Sequence, residues 1–167
     1  MGLLNILQFP DPRLKRVAEE VREFDQSLFK LIDDMFETMY ETQGVGLAAT
    51  QVNDHRRVIT MDVTHENTQP IYLINPEIIH KENLSESEEG CLSFPGVYAK
   101  VKRAKKIRVK FLDKHQKVHE LEAEGLLAVC IQHETDHLHG ITFYDHLSPL
   151  KKELLRKKLK KMRDRAL

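Results

Sequence analysis

A chain of 167 residues, 41% hydrophobic and 31% charged, fits one soluble globular domain spanning residues 1–167, long enough to bury a core. Lys+Arg and Asp+Glu both number 26, so no overall charge selects a membrane or DNA as partner. No apolar run reaches membrane-spanning length and the first residues lack a secretory pattern. Ile6 also stands where a myristoylation start needs Ser or Thr. A cytoplasmic location is expected, with Cys91 and Cys130 reduced rather than paired.

Asp11-Pro12 places a capping side chain before a proline at the first helical position and predicts a short helix to about Glu19. Leu28, Leu31, Ile32, Met35, Phe36 and Met39 recur at helical spacing after a cap at Asp25, which predicts a second helix buried by that stripe. Strands are predicted at 58–63, 71–74, 107–111 and 118–122, with a turn over 113–116 between the last two. The polar segment 81–89 reads as a loop or an edge. A half-apolar helix follows over 126–138, with Gly140 as its stop. Ser148-Pro149 opens a last, basic helix over about 148–165. Helices, then strands, then helices argue for α+β, with mainly antiparallel β-sheets around a central helix and a C-terminal helix outside.

The central helix carries His133-Glu134-Thr135-Asp136-His137. Side chains four apart stack on one helix face, so both imidazoles can reach one metal ion while Glu134, rotated aside, can reach a water on it. Two surface histidines are the plain alternative. A catalytic ion of this kind takes three protein ligands and keeps a position open. Phe143 stands where the metzincin pattern needs a third His, and Glu153, the only later Glu, sits among lysines as a solvated charge. Cys130 shares the histidine face but lies seven residues from His137, about 10.5 Å along the axis at ~1.5 Å per residue, and reads as a core thiol. Cys91, beside Gly90, is the remaining thiol. By spacing alone it reads equally as a ligand or a buried strand residue.

Gly44-Val45-Gly46-Leu47-Ala48-Ala49 fits the dinucleotide fingerprint with Ala last, but a helix precedes it and no alternating strand–helix pattern follows. The same segment, continued to Thr50-Gln51, resembles the first motif of bacterial peptide deformylases. Glu89-Gly90-Cys91-Leu92-Ser93 resembles the second and Gln132-His133-Glu134-Thr135-Asp136-His137-Leu138 the third. Order and spacing match too, and the likeness extends from Asp11-Pro12 to Leu147-Ser148-Pro149-Leu150.

The resemblance implies a hydrolase that removes the N-formyl group from the initiator formylmethionine of new polypeptides and releases formate. It implies that Cys91, His133 and His137 hold one divalent metal. Ferrous iron is the expected physiological ion, with zinc, nickel or cobalt in isolated protein. Glu134 would move the water's proton, and the Gln51 amide with the Leu92 backbone N–H would meet charge on the reacting oxygen. Glu89 and Arg103 would pair behind the metal ligands. Val45, Gly46, Leu126 and Val129, with Cys130, would meet the substrate, while Phe94 and Tyr98 would tune rate or choice of substrate. Nine basic residues and two acidic ones between Lys151 and Arg165 suit a solvated helix face or contact with the ribosome, and the resemblance favours the ribosome. Rival readings are an HExxH endopeptidase and a non-enzymatic, ribosome-associated protein with a structural metal.

Overall fold

The computed structural model describes residues 2–64 and 66–165. Helix α1, Gln26–Glu41, starts where the Asp25 side chain accepts the Leu28 N–H at 3.1 Å. Leu28, Ile32, Met35 and Met39 are fully covered, packed with Leu47, Val58 and Ile74 of the sheet. The earlier helix expected to reach Glu19 is shorter, a single 3-10 turn over Pro12–Lys15. Other partners claim the backbone beyond it: Ala18 N–H donates to Leu138 O at 2.8 Å and Glu19 N–H to His55 O at 2.7 Å.

Five strands form one antiparallel sheet in chain order. They are β1 (Gly46–Ala48), β2 (Val58–Met61), β3 (Ile71–Cys91), β4 (Phe94–Leu112) and β5 (Val118–Glu124). Strand β1 has no counterpart in the sequence reading. Segment 81–89 is the second half of β3, paired with β4 on one side, so it is an edge rather than a loop. Strand β4 likewise runs well back from the predicted 107–111, and the turn after it closes with Asp113 N–H on Lys117 O.

Helix α2, Gly125–Leu138, lies on the sheet through Ala128, Ile131 and Leu138 against Ile59, Leu73, Ile107 and Val109. Gln132 stitches it to β4, accepting the Ala104 N–H at 3.0 Å and donating to Ala104 O at 2.9 Å. Helix α3, Pro149–Arg165, docks by Leu155 and Leu159 onto Phe94, Val97, Val101, Phe143 and Leu147. Helices α2 and α3 thus both pack on the β3–β4 hairpin, α2 at Ala104 and Arg103 and α3 at Val97 and Val101. No helix of the described residues is long and apolar enough to cross a membrane.

Candidate metal centre

Cys91 closes β3 just after a register shift, while His133 and His137 project from α2. One donor atom from each of the three lies within 4.8 Å of the others. Cys91 Sγ is 3.4 Å from His137 Nε2, and the two imidazole centroids are 5.0 Å apart.

Orientation behind the donors is fixed by a charged network. Glu89 Oε1 lies 2.9 Å from His133 Nδ1; a carboxylate can only accept, so Nδ1 carries the hydrogen and Nε2 keeps its lone pair for the centre. Arg103 donates to both Glu89 oxygens, at 2.8 and 3.0 Å, and to Asp136 Oδ2 at 2.6 Å. His146 Nε2 meets the same Asp136 oxygen at 2.9 Å. Burial alone would raise the Glu89 carboxyl, but the hydrogen bonds from His133 and Arg103 overcome it and hold that group at about 2. The network ties β3, β4 and α2 together.

Burial pushes the Glu134 carboxyl up to about 7, opposed by His133 and reinforced by Glu89. Its Oε1 is covered and has no hydrogen-bond partner. Burial drives His137 well below the ordinary histidine value, with His133 and Arg103 adding to the effect, so the ring is neutral, as a ligand must be. Burial also disfavours charge on His133, yet Glu134, Cys91 and Glu89 outweigh it and draw positive charge to that ring. A divalent cation meets the same demand, so thiol, paired imidazoles and surrounding anions fit a metal.

A cleft of about 460 Å³ opens over these groups. Its walls include Val45, Gly46, Gln51, Cys91, Leu92, His133 and Glu134, with Phe94 and Tyr98 on the hairpin side. Gly46 lets β1 approach α2: a Cβ there would fall 2.6 Å from both Cys130 Sγ and Glu134 Oε2. The space a Gly90 side chain would take is instead filled by the Tyr98 ring, at 2.6 Å, so that glycine makes room for the cleft wall. Leu126 and Val129 are not among the cleft's lining residues; they line a second depression, toward the N-terminus of α2. Cys130 is a buried thiol raised by burial and by Glu134 and Glu89.

Gln51 is buried, its carbonyl oxygen accepting the Ala48 N–H at 2.9 Å. Its amide nitrogen donates to Ser93 Oγ at 3.0 Å and faces Cys91 Sγ at 3.5 Å. Two residues assigned no role from the sequence therefore belong to the site: Ser93, which aims the Gln51 amide, and Asp136, which anchors Arg103. Asp136 is partly exposed on the same helix as the histidines and left no signal in the sequence beyond its charge.

A thiol and two helix-borne imidazoles with a covered carboxyl beside them, on an α+β frame, form the site of a metal-dependent hydrolase. The family described as polypeptide deformylase matches residues 3–153. A peptide deformylase of Cellvibrio japonicus is 56% identical over 162 residues, 96% of each chain, and one of Chromobacterium violaceum is 55% identical, again covering 96% of each. The peptide deformylase structure from Legionella pneumophila superposes with a TM-score of 0.93 at 48% identity, over 97% of this chain and 96% of that one. That from Ehrlichia chaffeensis in complex with actinonin gives 0.91 at 42% identity, over 97% and 98%. The chain belongs to the polypeptide deformylase family.

Proposed function

We propose that this chain, acting as one catalytic domain, hydrolyses the formamide of N-formylmethionyl polypeptides to formate and a free amino terminus. The observation that carries the reading is the meeting of Cys91, His133 and His137 within 4.8 Å, beside a covered carboxyl, in a chain that matches the family over 3–153. Those three residues would hold the ion. A divalent metal in such a set makes water nucleophilic near neutral pH and polarises a carbonyl. Glu134, which lines the cleft, takes a proton from the attacking water and returns it to the departing amine; a carboxyl near 7 suits both transfers. Gln51 Nε2 and the Leu92 backbone N–H face negative charge as it grows on the formyl oxygen, and the amide exchanges its contact with Cys91 Sγ for that oxygen. Glu89 and Arg103 keep His133 in the tautomer that leaves Nε2 for the ion. Val45 and Gly46 border the bound chain, while Leu126 and Val129 receive its first side chain.

Ferrous iron is the proposed physiological ion; two imidazoles and a thiolate serve zinc, nickel and cobalt as well. The proposed setting is the cytoplasm, where α3 presents lysines to the ribosome and the cleft meets the emerging chain. Anaerobic purification with metal analysis, joined to assays on formyl-Met-Ala-Ser and an unblocked peptide, tests the reading. Formate from the first with no internal cleavage of either supports it. Internal fragments would assign an endopeptidase instead.

A further inference from the structure

Ser85, Ser87 and Glu89 alternate on one face of β3, in continuous register with Arg103, Val101 and Ala99 of β4. Glu89 meets His133, so this face looks toward α2. Val129 sits one helical turn before His133, and Leu126 lies beyond it. Between strand and helix lies the second depression, about 650 Å³, with Ser85 and Ser87 on the strand wall and Leu126 and Val129 on the helix wall. Its helix wall lies one turn from His133, and Asn83, Glu88, Lys105, Lys106 and Glu124 complete the lining beside the apolar and hydroxyl groups.

Ser87 Oγ is covered by protein and has no hydrogen-bond partner. A hydroxyl left so is poorly satisfied, and a turn of the Ser87 side chain into the depression would let a ligand atom restore the lost bond. Ser87 stands two strand residues from Glu89, about 6–7 Å. An unbranched side chain leaving a carbonyl held at the metal centre spans a comparable distance. Its stem would run along Leu126 and Val129 and its end would come to Ser87.

We propose that Ser87 determines specificity, its hydroxyl hydrogen-bonding a polar atom near the end of the substrate's first side chain. The site then accepts a formylated residue with an oxygen at that position, such as methionine sulfoxide, alongside methionine. The inference rests on the deformylase reading and deepens it, because a wholly apolar pocket would discriminate against the sulfoxide.

The test compares kcat/KM on formyl-Met-Ala-Ser, its norleucine analogue and its methionine sulfoxide analogue for the metal-loaded enzyme, Ser87→Ala and Ser87→Thr. Ser87→Ala is expected to lose about tenfold on the sulfoxide peptide, to stay within about twofold on the norleucine peptide, and to be rescued by Ser87→Thr, which keeps the hydroxyl. Equal factors on all three peptides, or a parent enzyme that rejects the sulfoxide as strongly as Ser87→Ala, overturn the role of Ser87 alone. Absence of formate from formyl-Met-Ala-Ser with the parent enzyme overturns the deformylase reading and this inference with it.

Discussion

Glu134 and Glu89 are two carboxyls on neighbouring elements with opposite fates. Burial without a partner on Oε1 brings Glu134 near neutrality, while His133 and Arg103 keep Glu89 ionised. Replacing Glu134 by Gln should lower formate release by at least about 100-fold and leave the metal in place. Turnover rates with elemental analysis check this, and activity retained within a few-fold would remove Glu134 from the proton path. Glu89 has a stability signature of its own. Its folded value, about 2, lies below the ordinary 4.5, so its contribution is complete above pH 4.5 and is lost as pH falls toward 2. Glu89→Gln should therefore flatten the acid limb of a urea-unfolding profile and lower stability at pH 7. An unchanged slope between pH 5 and pH 2 would show that the pair contributes nothing there. Among these residues, the histidines and Glu134 were legible because helical stacking is written in their spacing. Cys91 needed the resemblance, since nothing local says which helix a strand-end thiol meets. Ser93 and Asp136 escaped because their roles are to hold other side chains, and partners distant in sequence leave no periodic trace.

The elements were readable in proportion to the contrast between their faces. Helix α1 has a continuous apolar stripe and appears where its spacing puts it. Strand β1 is only three residues long and buried throughout, so it has no alternation to read. The outer half of β3 is mostly polar: Glu82, Glu86 and Glu88 are exposed on one face, and Ser85, Ser87 and Glu89 occupy the face toward α2. Closeness between β1 and α2 makes Gly46 a sensitive point. Gly46→Ala should displace Glu134 or Cys130 and cut kcat more than thermal stability, measured by steady-state turnover and calorimetry. A normal kcat would mean that the strand yields freely. Helix α3 has two duties that trimming cannot separate: Leu155 and Leu159 pack on Phe94, which pairs with Cys91 across the hairpin. Leu155→Ala and Leu159→Ala should each destabilise by about 2–4 kcal/mol and loosen the cleft wall. Charge reversal at Lys157 and Lys160, both exposed, should spare turnover of a short formyl peptide and weaken salt-sensitive co-sedimentation with ribosomes. Equal losses in both assays would count against a separate binding face.

At the scale of the whole molecule, the donor set joins β3 to α2, so an ion that binds there cross-links sheet and helix. Chelation should abolish turnover and lower the unfolding temperature, and metal added back should restore both, because a ligand that binds only the folded state stabilises it by mass action. An unfolding temperature indifferent to chelator would mean that the donors hold no ion in solution.

Helix α3 also gives the chain a polarity that its neutral total conceals. Acidic and basic side chains balance at 26 each, yet nine of the basic ones crowd the last helix, and the remainder of the chain is correspondingly acidic. Met162 of that helix touches the position where a Gly96 side chain would stand, on the rim of the cleft. The chain's charge is therefore unevenly spread, with its most basic helix beside the cleft. A polyanion would attract that end of the chain first, and the cleft lies beside it.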